Sequence, residues 1–207
     1  MTFLVQRLLR RNHIKGDLRT ILVYVTGDRI GDGILKFPVI RAFKEKNERS
    51  RLIWVTGKNP SVFSRGLSHI GSEYLDEIHE GTGIHSYLSN KSLLLQKHPD
   101  TVICTETNIS KTLFLRGIKA RTFISPAAGF MFSSIRPSGK CNKLSVYERF
   151  LTLMNLASEK PLLPRLSLPI PKTYLDYANY RLKDDQVFAG LNPGAGSEEK
   201  KWPLDLF

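Results

Sequence analysis

Apolar runs and stretches of helical spacing alternate along this chain, and the alternation predicts an α/β fold. Thr20 to Thr26 (TILVYVT) is apolar and β-branched throughout, as a strand covered on both faces must be. A turn-rich loop, Gly27 to Gly33, follows. Helical spacing then runs over 34–46 through Leu35, Val39, Ala42 and Phe43, and Arg51 to Thr56 (RLIWVT) reads as the next strand. This is a βαβ unit, and its strands predict a parallel sheet. Pro38 is tolerated only near a helix start, which puts the first turn after Asp32.

The pattern continues with helices over 61–69 and 84–97, a strand over 101–105, a short helix over 109–117 and a strand over 121–125. Leu144 to Ala157 is the strongest amphipathic helix, with Val146, Phe150, Leu153 and Leu156 or Ala157 on one stripe. Pro161, Pro164, Pro169 and Pro171 break regular structure and mark a crossing between domains. A helix over 174–182 leads to an apolar strand at Val187 to Leu191, then to a Pro-Gly-Ala-Gly turn and a Lys-Lys-Trp-Pro step. The organisation expected is a basic segment over 1–19, a Rossmann-like domain over 20–160, a Pro-rich crossing and helix over 161–185, and the start of a second domain over 186–207.

Composition narrows the class. With 41% hydrophobic and 24% charged residues the chain is globular rather than disordered. Its 207 residues fit one α/β domain plus part of another. Cys104 and Cys141 have neither ligand spacing nor a disulfide framework, which points to a reducing, cytoplasmic setting. The 31 Lys and Arg against 19 Asp and Glu leave a net charge of +12, and acidic partners are implied. No nucleic-acid-binding motif accompanies that charge, so phosphorylated lipid, sugar nucleotide or anionic membrane are the partners in view.

Met1 to Lys15 interleaves Leu4, Val5, Leu8 and Leu9 with Arg7, Arg10 and Arg11. It is too short to span a membrane and carries no signal-peptide cleavage site. An interfacial anchor and a terminal helix packed on the domain are both compatible with it.

Candidate chemistry centres on two loops. In an open parallel sheet, ligands bind beyond the carboxyl ends of the strands, which makes the loop Gly27-Asp28-Arg29-Ile30-Gly31-Asp32-Gly33 the first candidate. Its glycines do not fall in dinucleotide-binding order, and no acid follows the second strand to hold a ribose. Asp32, flanked by Gly31 and Gly33 that leave room for a substrate hydroxyl, has two readings: a general base, or the cap of the helix that follows. Asp28 has a weaker claim of the same kind. In the second loop, amides freed by Gly194 and Gly196, with Lys200 and Lys201 behind them, suit a pyrophosphate. There is no phosphate-binding P-loop, no serine-nucleophile elbow, no His pair at metal spacing and no Asp-x-Asp, so chemistry without a metal or cofactor is expected.

The run RIGDGILKFPVIRAFKEK together with GLNPGAGSEEKKWPLDLF resembles glycosyltransferase family 9, the bacterial ADP-heptose:lipopolysaccharide heptosyltransferases. The residues that carry the likeness are Gly31, Asp32, Pro38, Arg41 and Ala42, then Pro193, Gly194, Ala195, Lys200, Lys201, Trp202 and Pro203. The segment Thr105 to Ser125 is similar more loosely. Arg29 and Ile30 depart from the family, where small hydroxyl residues are common, and so does Cys104, where some members have an aspartate.

The resemblance implies the amino-terminal half of a two-domain GT-B glycosyltransferase with the first strand and turn of the second domain. Asp32 would be the base for an inverting transfer, and Gly194, Ala195, Lys200 and Lys201 would face the donor diphosphate. Arg29, Gly31, Gly33 and Asn108 would line the acceptor side. The donor would be a nucleotide sugar such as ADP-heptose and the acceptor a lipopolysaccharide core or other phosphorylated glycolipid. The implied location is the cytoplasm, with peripheral contact at the inner face of the membrane. The resemblance covers only the first part of the family's length, so an isolated product of this size is expected to bind acceptor poorly or not at all and to turn over nothing. The other reading is a noncatalytic basic module that binds anionic lipid or lipopolysaccharide.

Overall fold

The computed structural model describes residues 18–57, 59–82, 94, 96–139, 144–182 and 187–190. Five parallel strands form one sheet: β1 (Arg19–Val25), β2 (Ser50–Thr56), β3 (Glu77–His79), β4 (Thr101–Cys104) and β5 (Thr122–Ile124), in the order β3-β2-β1-β4-β5. The most apolar run of the chain is therefore the central strand. Its register sets Arg19 opposite Ser50 on one side and Ile21 opposite Thr101 on the other.

Alternation along each strand divides the core into two layers. Ile21, Val23, Leu52, Trp54, Ile103 and Ile124 face one side, where they meet Phe37, Ile40 and Phe43 of helix α1 (Ile30–Lys46). Helix α2 (Ser68–Tyr74) adds Ile70, and α4 (Val146–Ala157) adds Phe150, Leu153 and Met154. Leu22, Tyr24, Ile53, Val55, Val102, Cys104 and Phe123 face the other side, against Phe114 and Leu115 of α3 (Ile109–Arg116) and against Leu94 and Ile118. Trp54 anchors the larger layer, edge-on to Phe63 at 5.4 Å and to Phe150 at 6.0 Å.

Three elements before β4 differ from the sequence expectation. Helix α1 begins at Ile30 and takes Gly31, Asp32 and Gly33 into its first turn, so Asp32 is its third residue and not its cap. Pro38 consequently lies inside the helix, where its ring is buried against the core. The helix expected over 61–69 is a 3-10 turn, Val62–Ser64, followed by α2. The split reflects two local features: the Ser61 hydroxyl accepts from the Phe63 N–H at 3.2 Å and starts the tight turn, and Gly71 lets α2 press on the turn's backbone. β3 was not foreseen, because three half-buried residues, Glu-Ile-His, make no apolar run.

A Cβ on Gly71 would stand 2.1 Å from the Phe63 carbonyl oxygen, a backbone atom that cannot rotate aside. Gly71→Ala is expected to destabilise the domain by about 1–3 kcal/mol despite the better helix propensity of alanine. A urea midpoint at or above that of the parent would contradict this.

The free margin of β5 is occupied from within. Ala128, Gly129 and Phe130 take three successive left-handed conformations, which turn the chain back on itself and bury Phe130. Ser133 and Ser134 then run alongside the strand. The Phe123 N–H donates to Ser134 Oγ at 3.0 Å, the Ser134 N–H to the Phe123 carbonyl at 2.7 Å, and the Ser125 N–H to Ser133 Oγ at 2.7 Å.

The chain divides into two compact units, Met1–Leu168 and Pro169–Phe207. Within the second, α5 (Lys172–Arg181) has no buried residue. Residues 187–190, expected to begin a strand, form no regular element; no strand among the described residues offers that segment a partner. Of the helix expected over 84–97 only residues 94, 96 and 97 are described, and the basic segment over 1–15 lies outside the described residues. No helix among the described residues is long and apolar enough to cross a membrane.

Candidate active site

The strand order reverses direction at β1, which has β2 on one side and β4 on the other. Beyond the carboxyl ends of β1 and β4 a parallel sheet opens a crevice between its diverging loops. Here those loops are 26–29, leading into α1, and 105–108, leading into α3.

The first loop holds two carboxylates with opposite surroundings. Asp28 has no exposed side-chain surface. Its Oδ1 accepts from Lys36 Nζ at 2.5 Å, and its Oδ2 accepts from Trp54 Nε1 at 2.8 Å and from Ser61 Oγ at 3.3 Å. Lys36, one helical turn beyond Asp32, is itself buried, and its ammonium lies 5.9 Å from the Trp54 ring centroid. Asp28 thus ties the exit of β1 to α1, β2 and the 3-10 turn. Its side chain has no exposed surface to offer a substrate.

Asp32 is half-buried and nearly uncommitted. Its Oδ2 reaches back to the Arg29 N–H at 3.4 Å, the long half of a capping box, and this is the one hydrogen bond its carboxylate makes among the described residues. An arginine side chain has no acceptor to return the bond to the helix amides, so the box stays half-formed. The glycines beside it serve different ends. A Cβ on Gly31 would meet nothing within 4 Å, whereas one on Gly33 would stand 2.4 Å from Val62 Cγ1. Gly31 therefore leaves the open space beside Asp32, and Gly33 is required where α1 packs on the 3-10 turn.

The second loop brings in residues that sequence reasoning missed. Glu106 Oε1 accepts from the Thr26 N–H at 3.0 Å, and Lys111 Nζ donates to Thr26 Oγ1 at 2.6 Å while standing 3.5 Å from Glu106 Oε2. This small network ties the two loops together across the crevice. Glu106 and Lys111 are each about a quarter exposed and line it. The signal that could have found them is the one that found Asp32, applied to the next strand at the switch point. Asn108 is exposed and caps α3, its Oδ1 accepting from the Lys111 N–H at 3.1 Å. Arg29 and Gly31 are exposed at the start of α1.

Beneath the crevice the groups are neutral. Burial pushes the Cys104 thiol up, so it stays protonated against Thr112. Burial above all pushes the Tyr24 hydroxyl up to about 12. To one side, hydrogen bonds from Ser64 Oγ and the Ser61 N–H hold the Glu80 carboxyl below the usual range, which keeps it an acceptor at the start of the 3-10 turn. No cluster of His, Cys, Asp or Glu suited to a metal ion is present among the described residues. Gly194, Ala195, Lys200 and Lys201 lie outside the described residues.

No family model matches the chain, and no curated protein matches it in sequence. Solved structures do match, through the fold. The ADP-heptose lipopolysaccharide heptosyltransferase II of E. coli superposes with a TM-score of 0.57 at 14% identity, over 89% of this chain and 57% of its own. The chain shares its fold with glycosyltransferases. A family 9 glycosyltransferase of Veillonella parvula gives 0.51 at 17% identity, over 92% of this chain and 58% of that one. E. coli heptosyltransferase WaaC, solved with ADP-2-deoxy-2-fluoro heptose, gives 0.56 at 14% identity, over 89% and 62%. The chain thus spans about three-fifths of the length of these structures.

Proposed function

We propose that this chain forms the acceptor side of an inverting sugar transferase, with Asp32 as general base. The observation that carries the reading is the contrast within one loop. Of the two carboxylates at the exit of the central strand, Asp28 is sealed by Lys36, Trp54 and Ser61, and Asp32 keeps all but one long hydrogen bond unspent beside the open face at Gly31. The glycosyltransferase fold, and the presence of an ADP-sugar analogue in one of the matched structures, support a nucleotide-sugar donor.

In the step so assigned, an acceptor hydroxyl oxygen bonds to the anomeric carbon of the donor sugar as the bond from that carbon to the diphosphate oxygen breaks. The hydroxyl proton passes to Asp32, and the electron pair leaves with the nucleoside diphosphate. Lys200 and Lys201, at the Lys-Lys-Trp-Pro step, would offset the charge that builds on the diphosphate, with Gly194 and Ala195 offering backbone amides. Arg29, Asn108 and the Glu106–Lys111 pair would orient a phosphorylated or carboxylated core sugar, the chemistry of a lipopolysaccharide acceptor.

Acceptor binding by the chain itself tests the reading. A core oligosaccharide of lipopolysaccharide is expected to bind weakly but saturably in calorimetry. Arg29→Ala is expected to weaken it by roughly tenfold, as loss of a charge-assisted contact does, with Asp32→Asn changing it little. A chain that takes up no core oligosaccharide, or binds equally well without Arg29, overturns the acceptor assignment.

A further inference from the structure

Between Glu106 and Glu148 the sequence has no acidic residue at all, while it carries Lys111, Arg116, Lys119, Arg121, Arg136, Lys140 and Lys143. Seven cations over 41 residues without a counter-charge is a local bias far stronger than that of the chain as a whole. The described part of this segment consists of α3, β5 and the loop that folds back along β5.

Its exposed surface is not purely charged. Ile109, Leu113 and Arg116 stand at i, i+4 and i+7 on α3, one stripe of the helix, and Ile109 is 49% and Leu113 51% exposed. Beside that stripe the returning loop exposes Met131 (57%) and Ile135 (42%), with Arg136 next in the chain. The two are joined: the Arg116 guanidinium donates to the Phe132 carbonyl, and Phe132 packs on the core layer that holds Phe114 and Leu115. Lys119, Arg121 and Arg136 are exposed and form no ion pair among the described residues.

We infer that this face, α3 with the loop over 131–136, docks on an anionic lipid bilayer. Aliphatic side chains ringed by unpaired cations match the two components of such a surface: apolar groups enter the boundary of the acyl chains while lysine and arginine remain at the phosphates. Single-stranded nucleic acid would call for exposed aromatic platforms, and the exposed apolar groups here are aliphatic. Helix α3 also starts in the crevice, at Asn108 and Lys111, so one element runs from the site to the proposed bilayer contact. The inference rests on charge and exposure and not on the transfer reading. Vesicle binding involves no sugar donor or core acceptor, so either can fail without the other.

The test is sedimentation of the full chain with vesicles of mixed phosphatidylglycerol and phosphatidylcholine, against vesicles of phosphatidylcholine alone. Binding is expected only to the anionic vesicles. Replacing Arg116, Lys119, Arg121 and Arg136 together by glutamine is expected to lower the partition coefficient by about a hundredfold or more. Leu113→Ser with Met131→Ser, which leaves the charge unchanged, is expected to lower it by roughly tenfold. All six positions are exposed, and an unchanged circular dichroism spectrum confirms that the variants are folded. The inference is overturned by binding that survives the glutamine variant, or that disappears only when Arg7, Arg10 and Arg11 are replaced. Indifference to the two serine substitutions overturns it too, as does capture of RNA in place of vesicles.

Discussion

Replacing Asp32 with asparagine is expected to lower kcat for sugar transfer by about 10²–10⁴-fold, the usual contribution of a positioned general base. The measurement joins this chain to the nucleotide-binding half of a family 9 enzyme and follows transfer from ADP-heptose to core acceptor. Asparagine keeps the shape of the side chain, and its amide oxygen can still accept the 3.4 Å bond from the Arg29 N–H, so the fold and the start of α1 persist. KM for the acceptor therefore changes little and the loss falls on kcat, the signature of an interaction made in the transition state alone. A variant that transfers at the parental rate removes Asp32 from the mechanism.

Asp28→Ala carries the largest expected effect on stability, a loss of about 3–5 kcal/mol. The reason is what it leaves behind. Lys36 would hold an ammonium with side-chain exposure of 9% and no counter-ion, and Trp54 Nε1 would lose the acceptor it meets at 2.8 Å. For a domain whose whole stability is about 5–15 kcal/mol, that is a large share. Truncation in denaturant titration is to be compared with the double replacement Asp28→Leu with Lys36→Met, which removes both charges and recovers much of the loss. If Asp28→Ala alone unfolds at the parental denaturant concentration, the buried pair does not hold the loop.

The parts of this molecule that were legible in the sequence are those decided locally. Thr20 to Thr26, Arg51 to Thr56 and Thr101 to Thr105 are apolar through their centres because both faces of a central parallel strand are covered, and each appears within a residue of its expected bounds. Ser145 and Glu148 exchange hydrogen bonds at the start of α4, which fixes that helix two residues into its predicted span. What escaped was decided at a distance. Whether Gly33 belongs to a turn or a helix depends on Val62, nearly thirty residues on, and not on glycine's own freedom. Asp28 and Asp32 look alike in a loop with glycines; they are told apart only by Trp54 and Ser61, which the fold delivers to one and not the other. Glu106 and Lys111 join the site through Thr26, 80 and 85 residues away in the chain.

The serines laid along β5 have a consequence for how this molecule meets its own copies. An outer strand normally presents a ladder of vacant amides and carbonyls on which a second molecule can add a strand of its own. At Phe123 and Ser125 those positions are already filled by Ser133 and Ser134. Growth of the sheet from one molecule into the next, the route to cross-β aggregates, is closed at that side and leaves β3 as the edge where it could begin.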